Sequence, residues 1–273
     1  SGLSSSAAFE VLLGTILSHI YNGGTVNPVN IAQIGQYAEN RFFGKPSGLM
    51  DQTASAVGGF VGIDFYDEAQ PVIKKVDFDF SGAGITLCIT DTVGDHADLT
   101  GEYAAITLEM REIAGYFGQT LLSRVDEDEF YSKIAELRQY GDRAVLRAAH
   151  FFADTRRAKQ EKDALQAGDF ARFLQLVGES GDSSAGLLQN IYAPGNPREQ
   201  GLNLALCLSK RVLGGQGACR VHGGGFGGTI QAFVPTDMLP RYKAELEAVF
   251  GEGRCHALSV RRAGGIKLRA GRH

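Results

Sequence analysis

Three stretches of this 273-residue chain carry residue types whose spacing could support chemistry. The first is SGLSSSAA, Ser1 to Ala8, with three consecutive serines ahead of an apolar run. A helix starting there would present unpaired N–H groups and a partial positive charge. Small hydroxyl side chains would add donors without blocking an approaching phosphate. The plainer alternative is that Ser4, Ser5 and Ser6 only cap a core helix, since serine is a favoured cap. The second stretch is ENRFFGKPSGLMDQ, Glu39 to Gln52. Glu39 falls late on a helix, where a carboxylate opposes the dipole and a cation would relieve it. Asp51 falls in the first turn of the next helix, where negative charge is favoured. The third is VHGGGFGG, Val221 to Gly228, between two apolar runs. So many glycines imply a backbone held close to a ligand or to another segment. The spacing differs from a dinucleotide fingerprint, and a strand rather than a helix follows.

The elements that must position these stretches are legible in the periodicity. From Ser5 to Tyr21, Phe9, Leu12, Leu13, Ile16, Leu17 and Ile20 fall on one helical stripe, which predicts a core helix ended by Asn22-Gly23-Gly24. Asn27 and Pro28 open a second helix with Ile31, Ile34 and Ala38 on one side, and Gly44 stops it. Leu49 to Val57 reads as a short helix after the loop Lys45-Pro46-Ser47-Gly48, and FVGIDF as a strand. Val76, Phe78 and Phe80, then ITLCIT, suggest a hairpin whose second strand is buried. A helical region from Leu99 to Gln189 is expected to break at Gly118, Gly141, Gly168 and Gly181. Helix, strand, glycine turn, strand, helix and strand follow, an order that matches the split βαβ, ferredoxin-like arrangement. The expected fold class is α+β, with a domain cut near Gly82.

Composition narrows the function classes. The chain is 44% hydrophobic, enough for a sizeable core, and its net charge of -4 comes with no basic face, so nucleic acid is not expected as a partner. Cys88, Cys207, Cys219 and Cys255 lie far apart without metal-ligand spacing, which fits buried thiols in a reducing compartment, and the cytoplasm is expected. The apolar run after the serines contains Glu10 and has no basic segment before it, so neither a signal peptide nor a membrane span is expected.

Taken together, the three stretches resemble galactokinase, of the GHMP small-molecule kinase superfamily. SGLSSSAA is similar to that family's second motif, ENRFFGKPSGLMDQ to the stretch bearing its catalytic aspartate, and VHGGGFGG to its third motif. The resemblance runs from Ser1 to about Gly265. It implies a remnant of the N-terminal, S5-like nucleotide and catalytic domain over residues 1–81. A ferredoxin-like C-terminal domain with inserted helices would cover 82–265, and a tail 266–273. It also implies ATP-dependent phosphorylation of galactose at the 1-hydroxyl. Ser1, Gly2, Leu3, Ser4, Ser5 and Ser6 would line the nucleotide phosphates, with Ser6 and Glu39 as Mg²⁺ ligands. Asp51 would take or orient the proton of the sugar hydroxyl. Gly48, Tyr103 and Gly223, Gly224 and Gly225 would border the sugar.

Two departures matter. Ser47 stands where many family members have cysteine, a swap that keeps size. The family's N-terminal sugar-binding region, GRxxxxGxHxDY-like, has no counterpart in these residues, which makes the chain expected to be part of a longer protein. The apolar faces of the first two helices would then lack cover unless a second chain or further segment supplies it. Exposing a few hundred Å² of apolar surface forfeits several kcal/mol at roughly 25 cal/mol per Å², comparable to a whole domain's stability. Little galactokinase activity is expected from these residues alone. The rival readings are a related GHMP kinase such as one for N-acetylgalactosamine, a non-catalytic galactose and ATP sensor, and an inactive fragment. The uninterrupted serine run favours a catalytic parent. His96 and His222 are read as supporting hydrogen-bonders rather than catalysts.

Overall fold

The structure is a computed structural model that describes residues 4–44, 47–67, 70–80, 82–94 and 99–268. The chain divides into two compact units, Ser1–Phe78 together with the segment from Val260 onward, and Asp79–Ser259.

The first unit contains α1 (Ser5–Tyr21), α2 (Pro28–Phe42), α3 (Met50–Val57) and a two-stranded antiparallel sheet of β1 (Phe60–Asp64) and β2 (Val72–Val76). The signals that start and stop these helices act as their chemistry dictates. The Asn27 side chain accepts a hydrogen bond from the Val29 N–H at 2.8 Å, and Pro28 fills the first turn of α2, where its missing N–H costs nothing. The apolar stripe of α1 is not buried in a core as periodicity alone predicts but faces outward, as the resemblance implied for a helix face without cover. The buried residues of α1 are Ala7, Val11, Thr15 and Ser18, while Phe9, Leu12, Leu13, Ile16, Leu17 and Ile20 are exposed. The small face is the one that allows α1 and α2 to approach closely: a Cβ on Gly14 would sit 2.7 Å from Ile31 Cγ2, and one on Gly35 would sit 3.2 Å from Glu10 Cβ. On α2, Ile31, Ala32, Gly35 and Glu39 are buried, whereas Ile34, grouped with Ile31 by periodicity, faces outward with Tyr37. Val11, Ile31, Ala32, Leu49 and Ala56 form the small core. The C-terminal segment crosses this unit at backbone contact. A Cβ on Gly264 would overlap the Ala56 carbonyl, and Gly59 N–H donates to Arg261 O at 2.8 Å.

The second unit contains β3 (Ile85–Asp91), α4 (Thr100–Tyr116), α5 (Glu127–Ser132), α6 (Ile134–Leu137), α7 (Asp142–Ala167) and α8 (Phe170–Ser183). After these come α9 (Gly201–Leu213), β4 (Ala218–Val221), β5 (Thr229–Pro235), α10 (Leu239–Phe250) and β6 (Cys255–Leu258). The strands form one antiparallel sheet in the order β4-β5-β3-β6, the split βαβ arrangement expected from the element order. The hairpin expected between residues 76–80 and ITLCIT is not formed. β2 pairs with β1, and β3 pairs with β5 and β6. Alternation reveals a strand but not its partner, and β3 lies inside the sheet between two strands that come from the far C-terminal part of the chain.

One core joins Ile230, Ala232 and Val234 of β5 to Leu202 and Leu213 of α9 and Tyr242 and Leu246 of α10. Phe80, Phe170, Phe173 and Phe233 make an aromatic cluster with ring centroids 5.1 to 5.8 Å apart. Gly118, Gly141 and Gly168 mark helix boundaries as expected, Gly168 with φ +72° closing α7. Gly181 does not break α8: a Cβ there would meet Cys219 O and Arg220 Cβ at 3.0 Å, so the glycine lets the helix lie against β4. Cys88, Cys219 and Cys255 are buried as expected, but Cys207 is exposed on the outer face of α9.

Candidate active site

In the first unit the site is built from the start of α1, the end of α2 and the first turn of α3. Ser4 sits at the N-cap of α1 with φ +51° and makes no side-chain cap, so the capping alternative fails for it. Its hydroxyl donates instead to Asp51 Oδ2 at 2.7 Å, across 47 residues. The serine stretch and the aspartate are therefore neighbours. Ser5 and Ser6 are exposed in the first turn of α1, and Ser1, Gly2 and Leu3 lie outside the described residues.

The loop that delivers Asp51 is pinned by α2. Asn40 Oδ1 accepts from the Ser47 N–H at 2.8 Å, and Gln36 Nε2 donates to Ser47 O at 3.1 Å. Gly48 follows, exposed, then Leu49 closes over the core and Asp51 faces outward on α3. This accounts for the pair Glu39-Asn40: the second residue holds the loop, while the first turns inward and is 4% exposed.

Glu39 is not alone there. Gln52 Nε2 donates to Glu39 Oε2 at 3.0 Å and to Glu10 Oε2 at 3.2 Å, so one amide bridges two carboxylates. Gln52 is itself buried, and its Oε1 has no partner among the described residues. Glu10 lies one turn beyond Ser6 on α1, which puts the two on the same helix face. Sequence reasoning used Glu10 only to exclude a membrane span and did not single out Gln52. A carboxylate at a position that a helix packs inward was the available signal.

In the second unit Tyr103 and the glycine-rich turn come together. Tyr103 Oη donates to Gly225 O at 2.8 Å, and its ring meets Phe226 edge-on at 5.5 Å. Half-burial pushes the phenol above its ordinary value, so it stays a protonated donor at neutral pH. A Cβ on Gly224 would strike the Tyr103 ring, and one on Gly225 would overlap the Asn190 carbonyl oxygen. At these two positions glycine admits another segment of the chain, one of the two alternatives left open by the sequence. Gly223, with φ +70°, has open space where a Cβ would stand. His222 supports the turn, with its N–H on Thr229 O at 3.0 Å and Nδ1 3.1 Å from Thr229 Oγ1. His96 lies outside the described residues.

Residues 1–59 match the GHMP kinases N terminal domain. The chain is 33% identical over 239 residues to a galactokinase of Mannheimia succiniciproducens, covering 88% of this chain and 59% of the relative. The chain is similar in sequence to the galactokinases over most of its length. It is also 32% identical over 241 residues to the galactokinase of Glaesserella parasuis, again with 88% of this chain and 59% of the relative covered. The chain thus spans about three fifths of the length of these curated galactokinases. The fold matches that of Lactococcus lactis galactokinase complexed with galactose, with a TM-score of 0.78 at 24% identity, covering 98% of this chain and 68% of that one. L. major mevalonate kinase in complex with R-mevalonate shares the fold at a TM-score of 0.61 and 17% identity, with 95% and 66% covered. The GHMP kinase fold is mixed helix and sheet, as expected from the sequence. Among the described residues no helix is long and apolar enough to cross a membrane.

Proposed function

We propose that the chain carries the phosphoryl-transfer residues of a cytoplasmic sugar kinase that uses ATP to phosphorylate galactose at its 1-hydroxyl. The observation that carries this reading is the hydrogen bond from Ser4 to Asp51, which joins a phosphate-binding type of helix start to an exposed carboxylate. Phosphoryl transfer needs alignment and charge stabilisation more than covalent help. The first six residues, Ser1 to Ser6, hold the nucleotide phosphates. The sugar O1 attacks the γ-phosphorus and the bond to the β–γ bridging oxygen breaks. ADP leaves with that electron pair, and the hydroxyl proton passes to Asp51. Ser4 occupies Oδ2, which keeps Oδ1 for the sugar.

Glu39 and Ser6 supply a carboxylate and a hydroxyl, hard oxygen donors that suit Mg²⁺. Among the described residues no three His, Cys, Asp or Glu side chains cluster, which fits an ion that retains water and phosphate ligands. Bound there, Mg²⁺ would neutralise charge on the phosphates. Gly48, Tyr103 and Gly223 to Gly225 border the sugar. Because the Tyr103 hydroxyl gives its proton to Gly225 O, it meets a sugar hydroxyl as an acceptor.

The exposed apolar faces of α1 and α2 support a further part of the reading, that additional polypeptide packs on them and that turnover by the 273 residues alone is slow. The test is ³¹P NMR of the chain incubated with Mg·ATP and either galactose or N-acetylgalactosamine. A slow, galactose-dependent signal from an anomeric phosphate is expected. Phosphate on another hydroxyl, or a preference for N-acetylgalactosamine, would contradict it.

A further inference from the structure

We propose that Asn190 is a positioning residue that holds the glycine-rich turn at Gly223–Gly228 in its working conformation. The turn's place beside the sugar rests on the function proposed above, while the hold itself rests on geometry within the second unit alone.

Asn190 is 2% exposed and grips the turn twice. Its Nδ2 donates to Gly224 O at 3.1 Å, and its own carbonyl accepts from the Phe226 N–H at 2.5 Å. The first of these fixes the orientation of the amide, since the flipped form would set two oxygens against each other. With the Gly224 carbonyl drawn toward Asn190, the trans peptide directs the Gly225 N–H the opposite way, as a donor on the other side of the turn. Phe226 has φ +60°, a conformation that is unfavourable for a non-glycine residue and persists only where the surroundings impose it. Its N–H on Asn190 O and its ring against Tyr103 are what impose it.

The backbone that presents Asn190 is braced and strained. α8 ends in a π-helical turn, Ser184–Leu188, and Gln189 follows with φ +58°. Such turns and left-handed non-glycine residues collect at functional sites. Arg147, wholly buried on α7, donates from Nε to Leu188 O at 3.1 Å and from Nη1 to Glu109 Oε2 at 2.9 Å, fixing the end of the π-helical turn. A braced donor, two bonds to one turn and strained residues on both sides are more than packing requires. Asn190 Oδ1 is buried and without a partner among the described residues. An isolated packing residue would carry that cost to no purpose.

The test is hydrogen exchange of the 273-residue chain without substrate, comparing the wild type with Asn190→Asp. Aspartate has the same shape but sets an acceptor against Gly224 O. The turn amides are expected to exchange about 3–10-fold faster, the range for one hydrogen bond, while the amides of β5 stay at wild-type rates. Unchanged turn exchange, or acceleration spread equally over β4, β5 and the turn, would overturn the proposal. Should Asn190→Asp not fold, Tyr103→Phe decides: it removes one hydrogen bond to Gly225 O, and the turn is expected to exchange about 3–10-fold faster and no more, because Asn190 still holds it. Full release by Tyr103→Phe would refute the role. Exchange needs no substrate, so a chain that loosens as expected but never phosphorylates galactose separates the hold from the kinase reading. Where galactose turnover is measured, Asn190→Asp is expected to raise KM several-fold with kcat little changed. An unchanged KM would remove the turn from the acceptor site.

Discussion

In the second unit the four-stranded sheet and its helices bury large side chains, whereas in the first unit α1 and α2 turn theirs outward. Ile230, Tyr242 and Leu246 are inaccessible to solvent, while Phe9 and Ile20 on α1 are more than half exposed. The first unit nevertheless holds Ser4, Asp51 and Glu39 in a defined arrangement. It does so with polar contacts over 13 to 47 residues and with close helix approach through Gly14 and Gly35, rather than with a large core. The proposed phosphoryl-transfer residues and the large core therefore sit in different units, and substitutions can separate them.

The largest separation is expected from Asp51→Asn. It removes a group that can take a proton and should lower galactose phosphorylation by roughly 10²–10⁴-fold, the usual range for an acid–base group, with melting behaviour unchanged. A role limited to positioning would leave appreciable turnover. Next, Leu213→Ala in the second unit is expected to cost about 2–5 kcal/mol in urea unfolding. The exposed Leu17→Ser on α1 should stay within about 0.5 kcal/mol in the chain alone. Equal costs would mean that the apolar face of α1 is covered in solution.

A pH experiment sharpens the account of the second unit. Glu161 on α7 is raised by burial from 4.5 to about 7, with Arg220 and Arg157 lowering it and Asp154 raising it by smaller amounts. The folded state thus binds a proton that the unfolded state has released. Its contribution is present below about pH 4.5 and is lost as pH rises through 7. Glu161→Gln should match wild type at pH 4 and exceed it by on the order of 2 kcal/mol at pH 8, read by denaturant titration. His150, facing Asp154, Arg157 and Arg220, is lowered by burial and works in the other direction, losing stability as pH falls below 6.5. It is common to both proteins and cancels in the difference. A smaller effect than at Glu161 is expected at Gly181, where Ala must push α8 from β4 by a few tenths of an ångström. A loss of about 1 kcal/mol confined to the second unit is expected.

How much of this was legible follows from what each signal encodes. The bounds of α1, α2 and α3 come from caps, a proline and glycines, which act within a few residues and can be read locally. The apolar stripe of α1 is legible in the periodicity, but its exposure follows only from the resemblance, which implied helix faces without cover, because periodicity marks a face and not what lies against it. The pairing of β2 with β1 rather than β3 has the same cause. The resemblance brought Asp51 and the serines to one expectation, and Ser4 meets Asp51 in the structure. Gln52 and Asn190 were missed because their partners lie 13 to 42 and 34 residues away and neither residue type signals such contacts. The exposed Cys207 was misplaced because cysteine's usual burial is only a tendency.

The most direct test of the central claim is a single-turnover measurement of γ-phosphate transfer to galactose, paired with calorimetric Mg·ATP affinity, for wild type and Asp51→Asn. The account predicts Mg·ATP affinity within about threefold of wild type and transfer at least about 100-fold slower. Transfer by Asp51→Asn at nearly the wild-type rate would contradict it.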